Sequence, residues 1–155
     1  MRLTTFSDYA LRVLIYLGMR PGELATVAGI AQAYGISANH LMKVVQHLGQ
    51  KGYIETLRGK GGGMRLAREP SRIALGELMR ATEERRLVEC FEPGSQCRIE
   101  SACALRAVLG EALEAFFGVL DRYTLADLLK ADRKLAKILV FEPPPGSRAA
   151  RKEAR

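Results

Sequence analysis

The chain of 155 residues has no apolar run that approaches the roughly 20 residues needed to cross a bilayer. Its most apolar early stretch, from Phe6 to Leu17, is interrupted by Asp8 and Arg12, which the core of a secretory signal does not tolerate well. We therefore expect a cytoplasmic protein without a membrane partner. Cysteine is scarce as well. Three cysteines without a secretory signal argue against a disulfide framework and for metal or redox chemistry.

The sequence also lacks the signs of an enzyme. No pairing of a nucleophile with a general base is visible, so catalysis is not expected. The glycine-rich stretch at 58–63 is not followed by the Gly-Lys-Ser/Thr of a nucleotide-phosphate loop, and no helix begins there. The composition, 48% hydrophobic and 26% charged, is that of an ordinary globular protein. The length allows one domain, or one domain with an appendage.

Positive charge is concentrated in one part of the chain. Residues 1–89 contain 13 Lys or Arg against 8 Asp or Glu, and residues 43–72 alone contain 7 against 2. The whole basic excess of the first 89 residues therefore falls within 43–72. Such an excess suits a polyanion such as DNA. A solvated face that keeps the protein soluble explains the charge equally well, so charge alone does not distinguish DNA binding from a solubilising surface.

Apolar periodicity predicts a mainly α protein. The spacing from Phe6 to Leu17 predicts an amphipathic first helix, which a capping box of Thr5 and Asp8 would open. Two shorter helices follow, separated at Gly35, and Ser37 would cap the second. A helix, a tight turn and a capped helix in this order are typical of a helix-turn-helix.

A small β-hairpin follows the helix-turn-helix. Strands are expected at 53–57 and 64–66, joined by the glycine-rich loop 58–63 with its two cations, so the hairpin reads as a wing. Beyond it, periodicity predicts a short helix around Leu78 and a long one of about five turns ending near Leu120. Another capping box, formed by Thr124 and Asp127, would open a last helix.

A recognition helix must present small polar and cationic side chains to base edges and phosphates, and a wing needs glycine backbone near a groove together with a cation. The residues of the second helix and of the glycine-rich loop meet these requirements as a set. The alternative is that they are ordinary exposed polar residues and a plain flexible loop, and the order of helix-turn-helix and wing favours DNA contact. The residues expected to contact DNA are Ser37, Asn39, His40 and Lys43 on the helix, and Arg58, Lys60, Gly61 and Gly62 in the wing.

All three cysteines lie in one short stretch, at Cys90, Cys97 and Cys103. Zinc ligands are commonly paired roughly two to four residues apart, so these wider gaps fit zinc poorly, and they also differ from the compact spacing of bacterial ferredoxins. Thiolates grouped this way bind soft metals or iron–sulfur centres. Buried structural thiols or a zinc-stabilised structural module are the alternatives.

Three thiolates leave one position of a cluster to fill. Both histidines, His40 and His47, lie on the helix assigned to DNA, so we expect them to be exposed or to face DNA rather than to bind metal. Carboxylates remain, and the residues alone do not choose among them. The candidates are Asp8, Glu89, Glu92 and Glu100.

Several segments together resemble a family of winged-helix, iron–sulfur transcriptional regulators, and within it the repressors that respond to nitric oxide. These segments are the first twelve residues, the wing loop Arg58–Gly63, the three cysteines and Tyr123–Leu128, and the similarity spans about residues 1–140. Related regulators of cluster assembly carry a histidine three positions after the last cysteine. Arg106 stands there in this chain, which argues against that subfamily.

The resemblance implies a homodimer that binds double-stranded operator DNA at promoters and holds one cluster per subunit. The cluster is expected to be 4Fe–4S, with 2Fe–2S as the alternative because the loop between the first two cysteines is slightly long. Nitric oxide would be the signal. Implied ligands are Cys90, Cys97 and Cys103, with Asp8 supplied by the partner subunit and Arg12 near the site.

These inferences divide the chain into four parts. They are a winged helix-turn-helix at 1–80, a cluster-binding segment at 81–104, a dimerisation helix and C-terminal helix at 103–141, and a disordered tail at 142–155. A sensor of iron or cluster status in the same family is the first alternative function. A small redox or electron-transfer protein is a more distant one.

Overall fold

The computed structural model describes residues 2–84, 86–130 and 139. The tail at 142–155, expected to be disordered, lies outside the described residues, as does most of the segment from 131 to 141. No described helix combines the length and the apolar character needed to cross a membrane.

Helices dominate the described residues, and the sheet is a single antiparallel pair. This architecture confirms the expected fold class, a mainly α protein with a small β-hairpin wing and a long helix. The elements are α1 (Thr5–Gly18), α2 (Val27–Tyr34), α3 (Ala38–Gln50), β1 (Ile54–Leu57), β2 (Gly63–Leu66), α4 (Leu75–Thr82), α5 (Ala104–Leu120) and α6 (Leu125–Leu129). Short 3-10 turns lie at Pro70–Arg72, Glu89–Phe91 and Glu100–Ala102.

The residue that caps α1 is Thr4, so the prediction of Thr5 was wrong by one position. The Thr4 hydroxyl accepts a hydrogen bond from the Ser7 N–H at 3.2 Å. The N–H and the hydroxyl of Thr4 both donate to Glu83, at 2.7 and 3.0 Å. These bonds hold Thr4 outside the helix. Asp8 still lies in the first turn, where the helix dipole favours a carboxylate.

The helix-turn-helix packs on α1. Gly35 ends α2 in the left-handed conformation, with a φ of 62°, and turns the chain into α3. The buried face of α3 packs into the main core beneath α1 and confirms the four positions that periodicity predicted: Leu41, Val44, Val45 and Leu48.

The wing is fixed at its base by a third strand-like segment. Strands β1 and β2 pair from Ile54↔Leu66 to Leu57↔Gly63. On the other edge of β2, Ala25 and Met64 exchange two backbone hydrogen bonds of 2.9 and 2.8 Å. Because Ala25 precedes α2, these bonds set the position of the wing relative to the helix-turn-helix.

Helix α5 is anchored to α4 near its C-terminal end. Arg80 forms two hydrogen bonds with Asp121, at 2.6 and 2.7 Å, and lies over the ring of Phe117. Leu113 and Phe117 pack against Met79 in a second, smaller hydrophobic cluster. The long helix is thereby joined to the winged helix-turn-helix through α4.

Helix α6 returns to the main core. The predicted capping box of Thr124 and Asp127 is confirmed. Hydrogen bonds from Lys130 and from Thr124 lower the pKa of Asp127 to about 2. Leu125 is fully buried in the same cluster as α1 and α3. The chain after α5 therefore packs against the winged helix-turn-helix rather than standing apart from it.

Candidate DNA-binding surface and cysteine segment

The outer face of α3 presents polar side chains opposite its buried stripe. Asn39, Lys43 and Gln46 are all exposed on successive turns. Met42 lies beside them and is 55% exposed. An apolar side chain on this face can contact the methyl group of thymine, while the amides and the ammonium can hydrogen-bond base edges or phosphates. Neither Met42 nor Gln46 was among the predicted DNA contacts, although helical spacing from Asn39 places both on this face.

Two of the predicted contacts lie at the margins of this face. Ser37 occupies the N-cap position of α3, but its side chain makes no capping hydrogen bond and is exposed. Its hydroxyl is therefore available to a phosphate. His40 is exposed as well, but its ring lies 6.4 Å from that of Tyr9 on the flank that faces α1. His40 therefore lies at the edge of the outer face of α3 and not at its centre.

His47 contradicts the expectation that both histidines are exposed or face DNA. Its ring stands edge-on to Phe6 with the centroids 5.4 Å apart, and its Nε2 lies 3.1 Å from the carbonyl oxygen of Ala81. The side chain is half-buried. Two helical turns separate it from His40, which places it on the same flank but deeper between α1 and α4.

The wing loop exposes its two cations. Arg58 and Lys60 are both exposed, and neither pairs with a carboxylate in the described part of the chain. Gly61 adopts a φ of 83°, in the left-handed region, and a Cβ added at Gly62 would lie 2.3 Å from the carbonyl oxygen of Leu57. The turn itself therefore requires glycine at both positions, apart from any approach to DNA.

Asp8 is linked to the helix-turn-helix through Arg12. The guanidinium of Arg12 forms a bidentate pair with the Asp8 carboxylate, at 3.0 and 3.1 Å. It also lies 5.6 Å from the ring centre of Tyr34 at the end of α2. Burial raises the pKa of Tyr34 to about 12, so this phenol stays neutral at physiological pH. Both partners of the ion pair are partly exposed, and the Asp8 carboxylate can be reached from outside the chain.

The three cysteines are free thiols of intermediate burial. Cys90 lies in the turn Glu89–Phe91, and Cys103 is the N-cap residue of α5, where the helix dipole favours a negatively charged ligand. Among the described residues, no group of three or more His, Cys, Asp or Glu side chains is placed to hold a metal ion. The predicted ligands are thus present as reachable thiols, but one chain does not bring them together as a closed site.

Arg106 joins the two ends of the cysteine segment. Its Nε donates to the carbonyl oxygen of Cys90 at 3.1 Å, and its Nη2 lies 3.6 Å from a carboxylate oxygen of Glu100. Arg106, Glu100 and Cys103 all line an open cleft of about 670 Å³. Arg106 therefore holds the loop of the first cysteine near the start of α5. Nothing in the local sequence pattern indicates these contacts.

An apolar stripe runs along the solvent side of α5. Leu105, Val108 and Val119 are 59%, 60% and 45% exposed, and Ala112 lies between them on the same face. A contiguous exposed apolar stripe on a helix of 17 residues indicates an interaction surface. Glu111 borders this stripe, three positions after Val108, and Glu114 lies farther round the helix.

Comparison with known proteins agrees with this architecture. Residues 3–131 match the Rrf2 family, described as an iron-dependent transcriptional regulator. The chain is 51% identical over 142 residues to the HTH-type transcriptional regulator NsrR of Bacillus subtilis (strain 168), covering 90% of this chain and 97% of that protein. The structure is similar to T. potens IscR, with a TM-score of 0.68 and 26% identity over 84% of this chain and 87% of that one. It is also similar to CymR, the global cysteine regulator of B. subtilis, with a TM-score of 0.67 and 28% identity over 84% and 97% of the two chains.

Proposed function

The chain belongs to the Rrf2 family of transcriptional regulators, and from this premise we propose that it is a homodimeric repressor whose iron–sulfur cluster makes operator binding sensitive to nitric oxide. The observation that carries the proposal is the set of three free, reachable thiols that directly follows the winged helix-turn-helix. The relatives named NsrR support the same assignment.

The donor set fits an iron–sulfur cluster. Cys90, Cys97 and Cys103 would supply thiolates, the ligands that hold such clusters, and Asp8 of the partner subunit would complete the set. A bound cluster would supply iron that binds nitric oxide. A carboxylate is a hard ligand for a soft centre, so the bond to Asp8 would be the weakest of the four. Segment 81–104 would hold the cluster between the DNA-binding part, 1–80, and the dimerisation part, 103–141.

The residues around Asp8 suggest how its release would reach the DNA-binding surface. The Asp8 carboxylate pairs with Arg12, which in turn lies over Tyr34 of α2. Coordination of iron by Asp8 would draw on this same carboxylate and alter the ion pair. We infer that this change shifts the first turn of α1 and with it the spacing of the two recognition helices, which half-site binding requires. A coupling of 1–3 kcal/mol changes DNA affinity by about 5- to 150-fold.

The first test is Asp8→Ala. We expect it to change the visible absorption spectrum of anaerobically purified protein and to reduce the loss of DNA affinity that nitric oxide causes, because the weakest ligand is gone. Absorption spectroscopy and titration of a duplex selected by the wild-type protein from a randomised pool measure the two effects. Glu23→Ala is the matched control. Glu23 is also a surface carboxylate paired with an arginine, in this case Arg20, which lies just after α1. Unchanged spectrum and unchanged release in Asp8→Ala exclude this route.

DNA recognition is proposed to use Asn39 and Lys43 at the centre of the outer α3 face, with Ser37 and His40 at its edges. In the wing, Arg58 and Lys60 would enter or border the minor groove, and the backbone of Gly61 and Gly62 would approach it.

Replacing Arg58 or Lys60 with alanine is expected to weaken binding and to lower the slope of log affinity against log salt by about 1 each, because one phosphate contact is lost. Fluorescence anisotropy at several salt concentrations measures the slope. Arg65→Ala provides the comparison, since Arg65 lies in the same hairpin but is paired with Glu55 across the strands. A slope that stays at the wild-type value for both wing-loop variants contradicts the assignment.

A sensor of iron supply is the second candidate, because the matching family is described as iron-dependent. The two functions predict different responses of the loaded protein. If the protein senses nitric oxide, adding nitric oxide while the iron content stays constant should make the loaded protein dissociate from DNA. In an iron sensor, release should follow slow withdrawal of iron by a chelator and should not follow nitric oxide at equal iron content.

A further inference from the structure

His47 contacts two other helices at once. Its Nε2 lies 3.1 Å from the carbonyl oxygen of Ala81 in the last turn of α4. A carbonyl oxygen can only accept, so Nε2 must carry the proton of this hydrogen bond. The ring also meets Phe6 edge-on in the first turn of α1, with the ring planes at 82°. A side chain of the recognition helix is therefore held by α1 and α4 together.

Polar bonds join α1 and α4 at the same place. The N–H and hydroxyl of Thr4 donate to Glu83, and the hydroxyl of Ser7 donates to that of Thr82 at 2.9 Å. Ser7 is fully buried, so this bond is shielded from water. The start of α1 and the end of α4 form a connected unit, which we call the α1–α4 junction and which comprises Thr4, Phe6, Ser7, Ala81, Thr82 and Glu83.

Both groups of proposed ligands extend from this junction. Asp8 is the residue after Ser7 on α1, and the first cysteine, Cys90, follows Glu83 by seven positions. On the other side of the junction, His47 lies in α3 next to Gln46, which is on the outer face. A displacement of either ligand group would thus move a unit to which the recognition helix is hydrogen-bonded.

We propose that His47 is a positioning residue that transmits the state of the cysteine segment to α3 through the α1–α4 junction. The inference rests on the proposed function and adds the element through which the two sites communicate. His47 itself need not touch DNA or iron. Its hydrogen bond to Ala81 ties one flank of α3 to the end of α4.

The quantity that tests this role is a ratio. We define the coupling factor as the DNA affinity of the loaded protein divided by that of the same protein after nitric oxide treatment. A purely structural residue would weaken both states alike and leave the factor unchanged. A residue that couples the two sites would lower the factor itself.

The main variant is His47→Phe, which keeps an aromatic ring against Phe6 but removes the hydrogen bond to Ala81. We expect the full-length, anaerobically loaded variant to retain its iron content while its coupling factor falls from about 5–150 toward 1. The probe is the duplex selected from a randomised pool by the wild-type protein. Tyr53→Phe is the control, because it also removes one hydrogen bond to α4, from the Tyr53 hydroxyl to Glu77, but at a site away from the junction. The control should keep the wild-type factor.

The outcomes separate this inference from the proposed function. If wild-type protein shows no loss of affinity with nitric oxide, the proposed function fails and this inference fails with it. If the wild type responds and His47→Phe responds equally, only this inference is overturned. Should His47→Phe not fold, Glu83→Ala decides instead, since it releases Thr4 at an exposed position of the same junction. A wild-type coupling factor in Glu83→Ala overturns the inference, and a lowered one supports it.

Discussion

Replacing Cys97 with alanine is expected to yield colourless protein with almost no bound iron after anaerobic purification. The proposed cluster has three thiolate ligands from one chain, and Cys97 is the middle one of the segment. Thiolate is the ligand that gives the site its affinity for iron and sulfide, and a vacant position exposes the remaining bonds to water and to exchange. The measurements are iron and sulfide content per chain and the visible absorption spectrum.

Loss of the cluster should also remove the response to nitric oxide, so that DNA affinity no longer changes when the gas is added. Ser101→Ala serves as the control because Ser101 is an exposed residue of the same segment. An unchanged spectrum in Cys97→Ala excludes this residue as a ligand. Colourless wild-type protein that contains zinc would instead support a structural zinc module and overturn the cluster.

The parts of the fold that sequence predicted well are those set by neighbours in the chain. The buried stripe of α3 follows from helical spacing alone, and the capping box of Thr124 and Asp127 requires residues only three positions apart. The turn of the wing likewise depends on its own glycines. Such patterns depend only on residues that are close in sequence, so they can be predicted without the tertiary structure.

The errors arose where distant residues determine the outcome. Thr4 rather than Thr5 caps α1 because Glu83, 79 positions away, binds it. His47 was expected to be exposed or to face DNA, but Phe6 and Ala81 enclose it from two other helices. Periodicity places a residue on a flank of a helix, but it does not show which element covers that flank.

The sequence indicates which residues are candidate ligands, but it does not indicate how they come together. Sequence pointed to the three cysteines and, through resemblance, to Asp8, whereas one described chain does not gather them. Tertiary contacts decide how the three thiols of one segment come together, and helical spacing does not show those contacts. The expected fourth ligand belongs to a second subunit. The contact of Arg106 could not be predicted from sequence either, because its hydrogen bond to the Cys90 backbone depends on how the loop folds back to α5.

The dimer is therefore the condition on which the rest of the proposed function depends, and Val108→Asp is the direct test of it. Val108 lies on the apolar stripe of α5 and is 60% exposed in the single chain. A carboxylate there costs the isolated fold little. In a dimer that buries the stripe, it would be an unpaired charge removed from water, which is strongly unfavourable. We expect the variant to be a folded monomer by sedimentation, with the helical circular dichroism of the wild type.

The effect on DNA binding should exceed that of any single contact. A dimer binds its second half-site as an intramolecular event, and this advantage is on the order of 10²–10⁴-fold in affinity. A monomer loses it entirely, and it also loses the Asp8 that the partner would supply to the cluster, so iron content should fall in parallel. Glu114→Gln is the control, because it changes charge on the same helix at a position farther from the stripe. A monomer that keeps both its iron and its operator affinity would refute this arrangement, because each subunit would then hold a complete site of its own. A Val108→Asp protein that remains dimeric would show that the α5 stripe is not the dimer interface.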